Sequence, residues 1–524
     1  MKKINIIKGL LVILLMAFTV ASCEDYNEPL LTDIGASRAF TPIELTAKVS
    51  KQTTVTLEWI PSLNTDHYVV DFSADDPNFT TIYKTINVTD KEIPVAVVLE
   101  GLTKYYIRVK AVSSVGAADS KYTVTNAETL GEQLFLDSQG GDIKATSATL
   151  RWVANSNVTN ITVSPVDINH VVTAAEKANG VATITGLAGE VTYTADLMNG
   201  TKLRGTTSFT TQVDPTGGTI LSPTDNYLAA INNAPVGAKL YFNPGIYNLG
   251  ALTLTKPISL IGTDINNKAT VHVNILLGNT ASGLKLQNLD LSGDPAVSVT
   301  TPDLIRINSD ATAGAIYGDI LIKSCNIHDY PRSLVGANVS LNRVNSFKVD
   351  DCVITNVLTS GGDFIDFRLT YVASIALTNS TFNNSSSRDF IRVDAGAGNS
   401  GTGLTTDVLI NASTISNKSM TATGRILYVR FNSNTSTVTN TLFADTVAIY
   451  TNQSSTTAPT FSNNNYFNSP NLFPPATPVS GVKYDTSTNL TKLDPEFVDS
   501  ANGDFTVQNN TLIDNKVGDP RWLK

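Results

Sequence analysis

The feature that most constrains this chain is a repeat in its C-terminal half. Seven ten-residue segments align one above another: 284–293 (LKLQNLDLSG), 320–329 (ILIKSCNIHD), 347–356 (FKVDDCVITN), 375–384 (IALTNSTFNN), 408–417 (VLINASTISN), 436–445 (STVTNTLFAD) and 459–468 (PTFSNNNYFN). The third column is Leu286, Ile322, Val349, Leu377, Ile410, Val438 and Phe461, and the eighth is Leu291, Ile327, Ile354, Phe382, Ile415, Phe443 and Tyr466. The mean period is roughly 29 residues, which is a solenoid spacing. A strand with two or three inward residues cannot bury itself, but copies stacked on one another hide both the apolar column and the strand edges. The tenth column is Gly293, Asp329, Asn356, Asn384, Asn417, Asp445 and Asn468. Asn and Asp suit sharp bends because they tolerate left-handed backbone and bond their own main chain. Asn288, Asn379, Asn440 and Asn463 share the fifth column, which predicts a ladder of stacked amides.

A second series of strands lies between these segments: 303–308 (DLIRIN), 333–338 (SLVGAN), 363–368 (DFIDFR), 389–394 (DFIRVD) and 425–430 (RILYVR). Each turn therefore contributes at least two strands at a fixed offset. A leucine-rich horseshoe is the competing solenoid, but these repeats lack its leucine spacing and its helical segments.

Composition excludes several functions. Charged residues make up 16% of the 524, below the usual share of about 25%, and polar Thr, Asn and Ser fill the gap. The net charge is −9 with no Lys/Arg block, which argues against nucleic acid as a partner. Four His and three Cys cannot build several zinc sites.

Residues 41–129 alternate with period two in short runs broken by turn residues. Thr54–Trp59 places a large aromatic on the inward side, and Tyr105-Tyr106-Ile107-Arg108-Val109 follows later. This resembles the fibronectin type III pattern, with Tyr105 as the corner tyrosine. A weaker copy spans 130–212, with Trp152 on its Trp strand and Tyr193 at its corner. Neither module carries a catalytic constellation. They read as spacers, with direct ligand binding as the alternative.

At the N-terminus, Lys2, Lys3 and Lys8 precede an apolar run, Gly9–Val20, too short for a typical membrane span. Val20-Ala21-Ser22-Cys23 resembles the bacterial lipobox, which implies acylation of Cys23; an ordinary secretory signal is the alternative. Residues 1–22 are then a lipoprotein signal peptide and 23–40 a tether. Glu24 and Asp25 resemble the export signal of Bacteroidetes-type surface lipoproteins, which implies a lipid anchor on the outer face of the outer membrane.

The last domain, 213–524, opens with Pro235–Tyr247 and Pro257–Gly262 and closes with Gly518-Asp519-Pro520-Arg521-Trp522. These segments resemble right-handed parallel β-helices of the pectin-lyase type. The whole arrangement resembles a family of Bacteroidetes surface proteins that carry such a β-helix behind fibronectin-type modules. The expected fold is all-β: two fibronectin type III-like sandwiches followed by a right-handed parallel β-helix. The resemblance implies polysaccharide as the partner, in a glycan-utilisation system with other glycan-uptake proteins at the surface.

In the second strand series the outward residues are Arg306, Asn308, Asn338, Asp366, Arg368, Arg392, Asp394, Tyr428 and Arg430. With turns about 4.8 Å apart they form one polar strip, a candidate glycan-binding surface on which arginine forks would meet carboxylates or Tyr428 would stack a sugar. A purely structural ladder, Asp366 with Arg392 and Arg368 with Asp394, is the alternative. A third option is β-elimination of a uronate polymer. There Arg392 or Arg368 would be the base and Asp363, Asp366 and Asp394 would hold calcium, a set implied by resemblance to β-helix lyases. The chain departs from true pectate lyases in lacking their clustered acidic motif. His328-Asp329 is the nearest approach to a hydrolase motif, but Asp329 belongs to the turn column. An adhesive or scaffolding role is the remaining alternative. Cys325 and Cys352 share a column on consecutive turns, so they either form a disulfide or pack as reduced thiols.

Overall fold

The structure, a computed structural model, describes residues 37–278, 283–293, 302–307, 314–357, 361–394, 398–399 and 401–524. The expected leader 1–22, Cys23 with the expected tether as far as residue 36, and Asn308 lie outside the described residues. The chain is all-β, two fibronectin type III-like sandwiches followed by a parallel β-helix, with strand at 46% and helix at 6%. It forms two compact units, one of residues up to 139 with 149–183 and 193–209, the other of 140–148, 184–192 and 210–524.

In the first sandwich, Ile43–Ser50, Thr54–Ile60 and Val95–Val98 form one antiparallel sheet. Lys84–Val88, Thr65–Ala74, Lys104–Ser113 and Thr123–Glu128 form the other. Trp59 is buried edge-on against Tyr68, with ring centroids 5.1 Å apart. Tyr105 is fully buried, and its hydroxyl accepts from the Glu100 amide at 3.0 Å, which makes it the corner tyrosine. In the second sandwich the equivalent Trp152 and Tyr193 are also buried.

The repeat region coils into three faces of parallel strands. The first face stacks ten strands, from Thr219–Leu221 to Thr460–Ser462. Leu286, Ile322, Val349, Leu377, Ile410, Val438 and Phe461 stand in register on it. The second face aligns Leu291, Ile327, Ile354, Phe382, Ile415, Phe443 and Tyr466. The third aligns Ile305, Val335, Ile365, Ile391 and Leu427. The long strand Ala269–Leu277 bends from the second face to the third, pairing with Leu289–Ser292 at its start and Asp303–Ile307 at its end. These columns merge into one continuous core from Leu221 to Leu472.

Each ten-residue segment is two strands, not one, and the fifth column is the corner between them. All seven corner residues are left-handed: Asn288, Ser324, Asp351, Asn379, Ala412, Asn440 and Asn463 have φ between 49° and 55°. This is a conformation that Asn and Asp tolerate better than Ala does. The amide ladder expected there is partial. Asn463 Nδ2 donates to Asn440 Oδ1 at 2.8 Å, but Asn379 and Asn440 donate instead to Asp350 and Asn411, one column earlier. In the tenth column Asp329, Asn356, Asn384, Asp445 and Asn468 are left-handed too.

The C-terminal segment clasps the corner between the first two faces. Trp522 Nε1 donates to Thr381 Oγ1 at 2.8 Å, and Asp519 Oδ2 accepts from the same hydroxyl at 2.8 Å. Arg521 donates to the Asp351 carbonyl at 2.9 Å. Burial pushes the Asp519 carboxyl up to about 6, against the pull of Arg521.

Candidate functional site: an arginine strip on the third face

The third face carries its polar residues at three levels. At the level of Ile305 plus one stand Arg306, Gly336, Asp366, Arg392 and Tyr428, paired rung to rung. Two residues further along each strand come Asn338, Arg368, Asp394 and Arg430. Each strand series begins with Asp303, Ser333, Asp363, Asp389 or Arg425.

Charge is layered here. The carboxylates form the floor: side-chain exposure is 0% for Asp303 and Asp363, 1% for Asp366, 6% for Asp389 and 14% for Asp394. The guanidiniums lie above them, from 16% exposed at Arg392 to 47% at Arg388. Asp363 is the hub. It meets Arg368 at 3.1 Å, Arg392 at 3.1 Å and Arg388 at 3.2 Å. Asp303 holds Arg306 and, at 3.7 Å, Arg332. Asp389 takes Arg425 at 2.8 Å. Asp394 takes Arg392 at 2.7 Å and Arg430 at 3.6 Å. Seven arginines thus cover five aspartates, so the strip presents positive charge on a chain whose net charge is −9.

Backbone spacing shapes this cover. A Cβ on Gly336 would lie 3.3 Å from Arg306 Nη2, so the missing side chain leaves the notch that guanidinium occupies. Arg332 and Arg388 each precede the first residue of a strand series and turn Nε onto the aspartate of the rung before. They stand two rungs apart, about 9.6 Å at the usual strand spacing.

The electrostatics follow from the layering. Burial pushes the carboxyls of Asp303, Asp366 and Asp389 up, against the pull of the arginines. Burial draws the Arg392 guanidinium down, but hydrogen bonds to Asp394 and Asp363 outweigh it and hold the group firmly protonated. Hydrogen bonding to Tyr428, then the charge of Asp394, raises Arg430.

Several sequence expectations change. Cross-rung pairs do form, with Arg332, Arg388, Arg392, Arg425 and Arg430 each on an aspartate of the rung before, but the expected pairs, Asp366 with Arg392 and Arg368 with Asp394, are not among them: Arg368 takes Asp366 and Arg392 takes Asp394 along their own strands. The reason is that residues two apart on one strand point the same way, and an arginine easily spans them. Asp363, Asp366 and Asp394 are not gathered as calcium ligands. Their oxygens face guanidiniums, and no cluster of three metal-ligating side chains occurs among the described residues. A firmly protonated Arg392 is the opposite of the proton acceptor that β-elimination requires. Arg368 donates Nη2 to both Asp363 and Asp366, at 3.1 Å and 2.7 Å. Tyr428 does not offer a free ring: Arg425 lies 4.2 Å and Arg392 4.9 Å from its centroid, and its hydroxyl accepts from Arg430 at 2.9 Å. Asn338 lies on the strip with a buried Oδ1 that has no partner among the described residues.

Away from the strip, Cys325 and Cys352 are free, buried thiols, with the Cys325 amide donating to Cys352 Sγ at 3.4 Å. His328 sits on the second face between Asp290 at 3.3 Å and Asp329 at 2.8 Å. The pairing, Asp290 foremost, raises the imidazole to about 9.

Sequence reasoning missed Asp303, Arg332, Arg388, Asp389 and Arg425 as parts of the strip. A signal was present: Pro331-Arg332-Ser333 and Ser387-Arg388-Asp389 place arginine at the same offset before two strands of one series.

Two family models match the β-helix. One described as Domain of unknown function (DUF4957) matches residues 245–385, and one described as Domain of unknown function (DUF5123) matches 408–522. The strip therefore runs across both matched regions. Among solved structures, a two fibronectin type-III domain segment from chicken tenascin is similar at 20% identity, covering 32% of this chain and 97% of that one with a TM-score of 0.22. The FN1–FN3 domains of chicken CNTN1 match at 14% identity over 33% of this chain and 64% of that one, with a TM-score of 0.15. The central fibronectin-III array of RIM-binding protein matches at 21% identity over 35% and 64%, with a TM-score of 0.14. A search of curated proteins finds no match.

Proposed function

We propose that this chain is a lipid-anchored cell-surface protein that captures acidic polysaccharide along the arginine strip of a pectin-lyase-like β-helix. On this reading Cys23 carries the anchor in the outer membrane, the sandwiches act as spacers, and the captured glycan passes to other uptake proteins. One observation carries the proposal: the strip buries its carboxylates and exposes its guanidiniums. A structural ion-pair ladder needs only charge balance, and here cations are in excess. Arginine forks recognise carboxylate and sulfate groups in pairs of parallel hydrogen bonds, and the buried aspartates pre-orient them. The reading is capture without cleavage, because Arg392 is held as a cation and, among the described residues, the carboxylates beside it, Asp363 and Asp394, are taken up by arginines.

Affinity electrophoresis tests this reading. Polygalacturonate in the gel should retard the protein, a neutral glucan should not, and Arg388→Ala with Arg392→Ala should abolish the retardation. Equal migration in all gels contradicts it. Release of unsaturated, ultraviolet-absorbing products would replace capture with cleavage.

A further inference from the structure

A cavity lies at the corner between the first and second faces of the β-helix, away from the strip on the third face. Its volume is about 390 Å³, and Lys268, Lys323, Gln287, Asn288, Glu190 and the Asp351–Arg521 pair line it. Gln287 and Asn288 are 2% and 1% exposed, yet Gln287 Oε1 and Asn288 Oδ1 have no hydrogen-bond partner among the described residues. A buried acceptor is costly to leave unpaired. Two such acceptors at one cavity therefore mark a place where donors are expected. Their positions are imposed by the coil. Asn288 is a left-handed corner residue, and Lys323 stands directly above Gln287 in the next rung.

The charges are not balanced. Arg521 is taken up by Asp351, which also accepts from Ser324 Oγ at 2.7 Å. Glu190 is engaged by the Gln287 amide. Lys323 has no carboxylate partner within ion-pair distance among the described residues, and Lys268 reaches only the Asn326 side chain, at 3.4 Å. The corner thus sets two ammonium groups against the single carboxylate of Glu190, with two buried acceptors, around a space large enough for a monosaccharide.

We infer that this corner binds a small anionic sugar, its acid group on Lys323 and Lys268 and its hydroxyls donating to Gln287 and Asn288. The shared chemistry is an acid group beside vicinal hydroxyls, which a uronic acid or a sugar phosphate supplies. The site does not depend on the strip.

Calorimetric and thermal-shift titrations of the full chain with galacturonate, glucose 6-phosphate and neutral galactose test the inference. Saturable binding of at least one acid, with no response to galactose, is expected, and which acid binds identifies the source. Lys323→Ala should weaken binding at least tenfold while its ligand-free melting temperature stays at the wild-type value. Lys268→Ala serves as the second variant if the first melts lower. Arg392→Ala should bind the acid as wild type does, which separates this site from the strip. No saturable binding of either acid in the millimolar range, equal binding of galactose, or undiminished binding in both lysine variants overturns it.

Discussion

Arg392 and Asp363 face each other across neighbouring rungs of the third face, Nη1 to Oδ2 at 3.1 Å, with the carboxylate fully buried and the guanidinium still reaching solvent. The contact shows how the solenoid works at a charged column. The carboxylate is buried beneath three arginines and also accepts from the Asp389 amide at 3.3 Å, while the arginine side chains above it stay partly exposed.

Asp363 holds three guanidiniums, so Asp363→Asn should cost about 3 kcal/mol of β-helix stability, as breaking a buried pair does. Denaturant unfolding measures it. A change below about 0.5 kcal/mol would mean the arginines are held by other contacts.

His328 makes stability depend on pH. Its folded pKa of about 9 lies above the unfolded value near 6.5, so its contribution is complete below pH 6.5 and is lost as pH rises through 9. The imidazole is about one-third exposed, and screening reduces the effect to about 1 kcal/mol. The melting temperature should fall over that window, and His328→Gln should flatten the fall.

Much of this fold was legible because a solenoid writes its register into the sequence. The third-column and eighth-column residues, Leu286 to Phe461 and Leu291 to Tyr466, stack as their alignment predicts. The fifth column shows in the sequence as a row of asparagines, which predicts an amide ladder and not the corner found there. Ser324 and Ala412 adopt the same left-handed backbone without advertising it. The strip was legible as a row of outward residues but not as two layers. Whether Asp363 lies under Arg392 or beside it depends on how far each side chain sinks, and spacing alone does not encode that depth.

Ala412 occupies the left-handed corner at φ 49° with no side-chain amide to compensate. Ala412→Asn should therefore stabilise the β-helix by about 1 kcal/mol, read as a raised unfolding midpoint. A lowered midpoint would show that the corner has no room for the amide.

Gly336 provides the notch beneath Arg306. Gly336→Ala should leave stability within about 0.5 kcal/mol, because a flexible guanidinium can yield, yet weaken polygalacturonate binding a few-fold by tilting Arg306. Unchanged binding would place Arg306 outside the contact.

The most direct measurement compares binding of the full chain to fully de-esterified and fully methyl-esterified homogalacturonan at matched length. The polymer backbone is the same and only the carboxylate charge differs. Tight binding to the de-esterified polymer, weakening steeply with salt, and none to the ester is the predicted result; equal binding to both would contradict capture by the arginine strip.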